Sequence, residues 1–427
     1  MKVTATEISS IERKIRVDFE WNEVETDYNN TLNNLRKNLK VDGFRPGKVP
    51  AKIARRLLEP RLSYDFSNAV VDSSFRKVLT EQGIEEYIDL HVSAVDFDPG
   101  KNFHYELTVE TDPVIELPDY KSGFPVKKPI YSVDKEDVDL YLEDIREHFA
   151  EVREIKDGAR DGHYIFCDLQ ELDSGGIPLV GKKVTDRLIK VGEGIFGEPG
   201  SEGLIGAKAG EERRIKLTPK KGKPIDYLVA VKRVEERLLP ELNDEFVKKN
   251  YQTIESYKEL RTQVEKMLQA EWDSRGTKEF QHAITDYFID KVRMEIPQSR
   301  VNRLLDRVIE DIKGKNNGEE IDEAKIREQY RPFAEKEISW FLIEQAIAGA
   351  ENIEVAKEEL DQKVQEVVES YAAEKQTMVR NFFSGAKNRT RLENDLFEQK
   401  IFDHLEKFAR VKKEKINTRD FRKRNMG

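Results

Sequence analysis

The sequence predicts an elongated, multi-domain α+β protein: an α+β N-terminal segment, then a small β-rich module, then an all-α C-terminal region. Three observations predict it. The chain has 427 residues, well beyond the size at which a single core stops growing. It is 38% hydrophobic and 37% charged, less core per residue than a compact enzyme carries. Thirteen of its 24 glycines fall between Gly158 and Gly222, so one stretch differs sharply in composition from both flanks. The 9% aromatic content argues against disorder.

In residues 1–112, Ile15, Val17 and Phe19 alternate with charged residues, as do Phe103, Tyr105, Leu107 and Val109, the period-2 signature of half-buried strands. Between them, Val24, Tyr28, Leu32, Leu35 and Leu39 recur every three or four residues, and Phe66, Val70, Phe75 and Val78 do much the same. Two helices are expected there, Asn22 to Leu39 and Ser63 to Leu79, with the late strand beside the early one. Residues 113–150 open with Pro113, Pro118, Pro125 and Pro129, which remove backbone donors and favour extended chain. This reads as a linker, followed by a helix from Asp137. In residues 151–237, tight glycine turns join short β-prone runs such as Tyr164 to Cys167 and Tyr227 to Val231. Residues 238–427 are helical in pattern, with apolar faces such as Leu260, Val264, Met267, Leu268 and Trp272. Ile296-Pro297-Gln298 reads as a helix restart.

One cysteine, Cys167, excludes an internal disulfide, and the histidines are too scattered for metal-ligand spacing. No glycine-rich phosphate loop ending in Gly-Lys-Ser/Thr occurs, so no cofactor and no nucleotide-driven cycle are expected. Met1 to Ser10 lacks the charged start and apolar block of a signal peptide, and no apolar run approaches the roughly 18 residues of a membrane span. A cytoplasmic protein without membrane contact is expected.

The stretch Gly43-Phe44-Arg45-Pro46-Gly47-Lys48-Val49-Pro50 is the most informative. Two glycines and two prolines cannot sit inside a regular helix, so a defined loop joins the helix ending near Leu39 to one starting around Pro50. Residues 36–61 hold nine cations against Asp42 and Glu59, a local net charge of +7 inside a chain of −10. That asymmetry suits contact with a polyanion, and an aromatic beside the charges can enter an apolar crevice or stack on a base. The alternative is a solvated turn whose Phe44 folds back into the core.

This string resembles the Gly-Phe-Arg-x-Gly-Lys-x-Pro signature of the trigger factor family, bacterial ribosome-associated chaperones. The order of segments is similar throughout the chain, and Val234 to Leu242 looks like the family's exit from its isomerase domain. The resemblance implies a ribosome-binding domain (1–112), a linker with the first part of the C-terminal domain (113–150), an isomerase domain of the FKBP type (151–237) and a helical chaperone domain with arms (238–427). It further implies that Gly43, Phe44, Arg45, Pro46, Gly47, Lys48 and Pro50 form the ribosome-binding site. The implied partners are the large ribosomal subunit, through its RNA and a tunnel-exit protein, and unfolded nascent polypeptides. A homodimer away from the ribosome is implied as well.

FKBP-type domains carry an apolar-Asp-aromatic triplet and then a glycine. Phe166-Cys167-Asp168 is read as the triplet, with Gln170 in the glycine's place. Pro199-Gly200-Ser201-Glu202 stands for a later Pro-Gly-aromatic-Glu element, so Ser201 replaces a pocket aromatic, and Tyr227 supplies a late one. Prolyl isomerisation needs an apolar pocket that desolvates and twists the imide, so lost aromatics predict weak or lost activity. Isomerisation as the main activity, or a free chaperone without ribosome contact, are the competing readings. For clients, Met378, Val379, Phe382 and Phe383 before the break at Ser384-Gly385 are the expected solvent-facing cluster. Lys407 to Arg424, with nine cations and two acids, reads as a frayed, solvated terminus, the alternative being weak contact with nucleic acid or acidic protein.

Overall fold

The alternating runs at both ends of the first 110 residues pair as their period requires in a computed structural model of the chain. It describes residues 1–45, 47–173, 175–192, 201–217, 225–315 and 321–421. Two compact units emerge, Met1–Lys127 with Phe280–Lys412, and Lys128–Glu279 with Lys413–Gly427.

In chain order the elements begin with β1 (Lys2–Glu7), β2 (Glu12–Glu20), α1 (Trp21–Lys37), α2 (Ala51–Glu81), β3 (Asp89–Asp98) and β4 (Asn102–Glu110). These four strands form an antiparallel sheet of order β1-β2-β4-β3, with Ile15 opposite Leu107 and Val17 opposite Tyr105. One sheet face is apolar, and the apolar stripes of α1 (Val24, Tyr28, Leu32) and α2 (Leu62, Phe66, Val70, Val78) cover it. The Tyr105 hydroxyl inside this core is satisfied by Ser74 Oγ at 2.8 Å. Helix α2 is much longer than the periodicity predicts and runs through Pro60. An interior proline removes one ladder bond and costs about 3 kcal/mol, which burial of Ala54, Leu62 and Phe66 on either side offsets.

β5 (Phe124–Ser132), α3 (Lys135–His148), β6 (Glu151–Glu154), β7 (Tyr164–Leu172), β8 (Pro178–Lys190), β9 (Glu212–Leu217) and β10 (Ile225–Leu238) follow. The glycine-rich stretch is a five-stranded sheet of order β6-β10-β7-β8, with β9 also on β10. Its core is small: Ile165, Cys167, Leu169, Ile189, Ile215, Val229, Val231 and Val234.

The helical region comprises α4 (Asp244–Asn250), α5 (Tyr257–Lys291), α6 (Gln298–Lys315), α7 (Glu323–Glu351), α8 (Lys357–Glu369), α9 (Ala373–Ser384) and α10 (Ala386–Glu406), then β11 (Ala409–Asn417). In the first unit, Phe280, Ile284 and Phe288 of α5 pack with Trp340 and Ile343 of α7 and Ile401 and Phe402 of α10. Tyr120, Phe124 and Val126 join that core, so the proline-rich stretch is packed there and not a free tether. α6 starts on the end of β4, where the Glu110 carboxylate accepts from the amides of Gln298 (2.7 Å) and Ser299 (3.2 Å). In the second unit, Val138 and Leu142 of α3 pack with Phe246 and Val247 of α4 and Leu260 and Val264 of α5.

The basic tail is not frayed over its described part. β11 pairs with β5, and Thr418, 1% exposed, accepts a hydrogen bond from the Asp134 amide at 2.8 Å. Among the described residues no helix is long and apolar enough to cross a membrane.

Candidate functional site

The 43–50 loop sits between α1 and α2 and is fixed from both sides. Gly43 and Gly47 adopt φ of +86° and +77°, which a side chain would strain. The Phe44 amide donates to the Val41 carbonyl at 3.1 Å and the Lys48 amide to the Arg45 carbonyl at 2.9 Å, two successive tight turns. Val49, 1% exposed, is buried in the core of the N-terminal sheet and helices, while Pro50 caps α2. Between these anchors Phe44 is 39% exposed and Arg45 and Lys48 are exposed, so Phe44 does not fold into the core. Pro46 lies outside the described residues.

The surrounding cations are largely unneutralised. Arg61 reaches Asp65 at 3.5 Å and Arg55 lies over the Tyr28 ring at 5.3 Å. Among the described residues, Arg36, Lys37, Lys40, Arg45, Lys48, Lys52 and Arg56 have no carboxylate within ion-pair distance. A fixed tip with an accessible aromatic thus stands in a field of unpaired positive charge.

Among the described residues assigned to an isomerase pocket, Phe166 and Asp168 do not share the sheet face of Cys167. On β7, Cys167 is fully buried, whereas Phe166 and Asp168 point to the opposite sheet face, as period 2 demands. Asp168 is held by Lys232 at 2.6 Å and by the Asp186 amide at 3.0 Å, contacts that push its carboxyl below the usual range. Phe166 carries the Arg233 guanidinium on its ring at 4.1 Å. The acid flanked by two inward apolar residues is therefore Cys167-Asp168-Leu169, one position later than the triplet reading, because a one-residue slip exchanges the faces. Burial pushes the Cys167 thiol up to about 12. Tyr227, on β10, is half-buried and packs against the sheet core. Pro199 lies outside the described residues, and of Ser201 only the start of a short 3-10 turn is described. Among the described residues of that core, Tyr227 is the sole aromatic.

On α9, Met378 is 67% and Phe382 56% exposed, and Phe383 is half-buried against Phe382 with ring centroids 5.2 Å apart. Val379 is buried, contrary to the expected outward cluster: successive helical residues are turned by about 100°, so Met378 faces solvent while Val379 beside it faces inward. Periodicity alone did not sort the other helical aromatics. Phe280, Phe288, Trp340 and Phe402 are core, and Phe333 and Phe341 are exposed. Among the described residues no cluster of histidine, cysteine or carboxylates could hold a metal.

Residues 1–145 match the family described as "Bacterial trigger factor protein (TF)", and residues 256–407 match "Bacterial trigger factor protein (TF) C-terminus". A trigger factor of Geobacillus kaustophilus is 30% identical over 358 residues, covering 78% of this chain and 83% of that one. One from Syntrophotalea carbinolica is 27% identical over 430 residues and covers 96% of each chain. A solved structure from work on "Promiscuous Substrate Recognition in Folding and Assembly Activities of the Trigger Factor Chaperone" aligns at TM-score 0.48 and 19% identity, over 95% of this chain and 99% of that one.

Proposed function

Because the chain belongs to the trigger factor family of chaperones, we propose that it docks on the large ribosomal subunit through its 43–50 loop and shields nascent chains there without ATP. The observation that carries this reading is the loop itself: Phe44, Arg45 and Lys48 are exposed on a backbone fixed by two left-handed glycines and a buried Val49. Clustered like charges repel one another, and a phosphate backbone relieves that repulsion while releasing counterions. A rigid tip also loses little conformational freedom on docking. Residues 1–112 then serve as the ribosome-binding domain, with 113–150 leading to a helical chaperone domain in 238–427. Met378, Phe382 and Phe383 offer clients a small apolar contact. Residues 151–237 form a module with weak or no isomerase activity, a reading supported by the small aliphatic core around Cys167 and by Phe166 lying outside it. The protein works in the cytoplasm and self-associates when off the ribosome.

The test is co-sedimentation with large ribosomal subunits. Replacing Phe44, Arg45 and Lys48 together by Ala abolishes it, while the thermal melt stays within about 0.5 kcal/mol of the parent because these side chains are exposed. Binding of the parent falls steeply with salt, and losing the two cations of the triple lowers the log–log salt slope by about two. Binding that survives the triple replacement sinks the docking claim, and a flat salt response excludes the phosphate contact.

A further inference from the structure

Strand β8 is the outermost strand of its sheet. It pairs with β7, and among the described residues no strand pairs with its other edge. Residues 178–188 are exposed throughout, whereas β7 beside it alternates between buried and half-buried. Apolar side chains are among those left open: Val180 is 102% exposed, Val184 41% and Leu188 40%, with Ile177 at 65% just before the strand. An open edge with apolar flanks is a template for another strand, and folded proteins usually blunt it with outward charges or a covering element.

The charges here do not blunt it. Lys183 reaches Asp168 at 3.6 Å and Lys182 reaches Glu171 at 4.0 Å, so both ammonium groups are drawn back toward β7. Asp186, at φ +57°, breaks the register between β7 and β8, so only a short partner strand fits on either side of it. Residues 177–190 carry four cations against Asp186, a net charge of +3. A second copy of β8 would bring +3 against +3, which opposes self-pairing, whereas an acidic segment gains from the same field.

We propose that the outer edge of β8 captures short extended segments of unfolded polypeptide by strand addition, favouring apolar segments flanked by acidic residues. This rests on the chaperone reading, which makes unfolded chains the ligand. Backbone hydrogen bonds supply sequence-independent affinity, and the exposed valines and leucine supply a preference for apolar side chains. Such a site needs no isomerase pocket.

The experiment uses the full chain and labelled ten-residue peptides of alternating Val and Thr, flanked by Glu or by Lys. Fluorescence anisotropy measures affinity, and hydrogen exchange locates the peptide. The Glu-flanked peptide is expected to bind at least tenfold more tightly and to protect amides within 178–190. N-methylation of one alternate set of peptide amides abolishes binding, and of the other set leaves it intact. V180D with V184D weakens binding about tenfold and leaves the melt unchanged, since both side chains are exposed. Protection found only elsewhere, equal effects of the two N-methylated peptides, or protection of 178–190 that appears with protein concentration alone overturns the proposal. Suppression of aggregation of a denatured client is measured in parallel. If the unaltered chain suppresses aggregation but fails these peptide tests, β8 is not the site. If it fails to suppress aggregation, the chaperone reading itself falls.

Discussion

Glu344 lies on the inner face of α7, 8% exposed, and its Oε1 has no hydrogen-bond partner among the described residues. Burial first, and then the nearby Glu398 carboxylate, pushes its pKa up to about 7. Glu398 is itself raised by burial and by Asp395 and Glu337, with His282 opposing. A carboxyl whose folded value exceeds its unfolded one of about 4.3 costs stability progressively as pH rises from there to about 7, and the cost is constant above. Glu344→Gln is therefore expected to stabilise the fold at pH 8 by about 2 kcal/mol and to be near neutral at pH 4.5, read from melts across that range. A gain independent of pH would show that ionisation of Glu344 is not the cause. Cys167 gives a second check at this scale. As a fully buried thiol with its pKa pushed up to about 12, it should resist a thiol reagent at pH 8 and react only as the sheet opens. Labelling as fast as a free thiol would contradict the burial. The sequence already placed Cys167 in a β-prone run, but not which neighbour shared its face. Period 2 fixes alternation, while a contact with the core is needed to fix its phase.

At the scale of elements, Gly276 shows packing overriding local preference. It lies inside α5, where Ala is favoured by about 1 kcal/mol. A Cβ there would stand 2.9 Å from the Pro129 carbonyl oxygen of β5. Gly276→Ala is expected to destabilise by about 1–3 kcal/mol in denaturant titration, since backbone must shift. Stabilisation would mean that β5 yields freely. The same neighbourhood explains the tail. Phe421 packs edge-on against Trp272 at 5.0 Å, with Arg275 over the Phe421 ring at 4.5 Å, so the positive run is tied down by a few non-basic residues. Charge counting averages over those residues and cannot see them. Helix α2 exceeds the span its periodicity predicts for a related reason: an interior proline disfavours helix, and only burial on both sides carries the helix through Pro60.

For the whole molecule, the question is whether residues 151–237 still act as an isomerase. The proposed eroded pocket predicts that the full chain accelerates a proline-limited refolding reaction little above the uncatalysed rate, whose tens of seconds are easy to resolve. Acceleration like that of an intact FKBP-type domain would refute the erosion. Four consecutive segments describe the local patterns of the chain, but compactness groups them differently, joining Met1–Lys127 to Phe280–Lys412. Contacts such as Glu110 with the amides of Gln298 and Ser299 span nearly 190 positions, far outside any window of periodicity.

Several things were determined by the sequence alone: the alternating strands around Val17 and Tyr105, the glycine-rich β stretch, the helical remainder and the 43–50 loop with its unbalanced charge. Each depends on the chemistry of residues close together in the chain, on period, turn residues or net charge. Tertiary structure alone decided that Phe44 stays outside while Val49 goes in, that Val379 turns inward beside Phe382, and that no strand among the described residues covers the outer edge of β8. Each of these depends on what covers a side chain or strand edge from a distant part of the chain, and burial by a distant partner leaves no mark on local spacing.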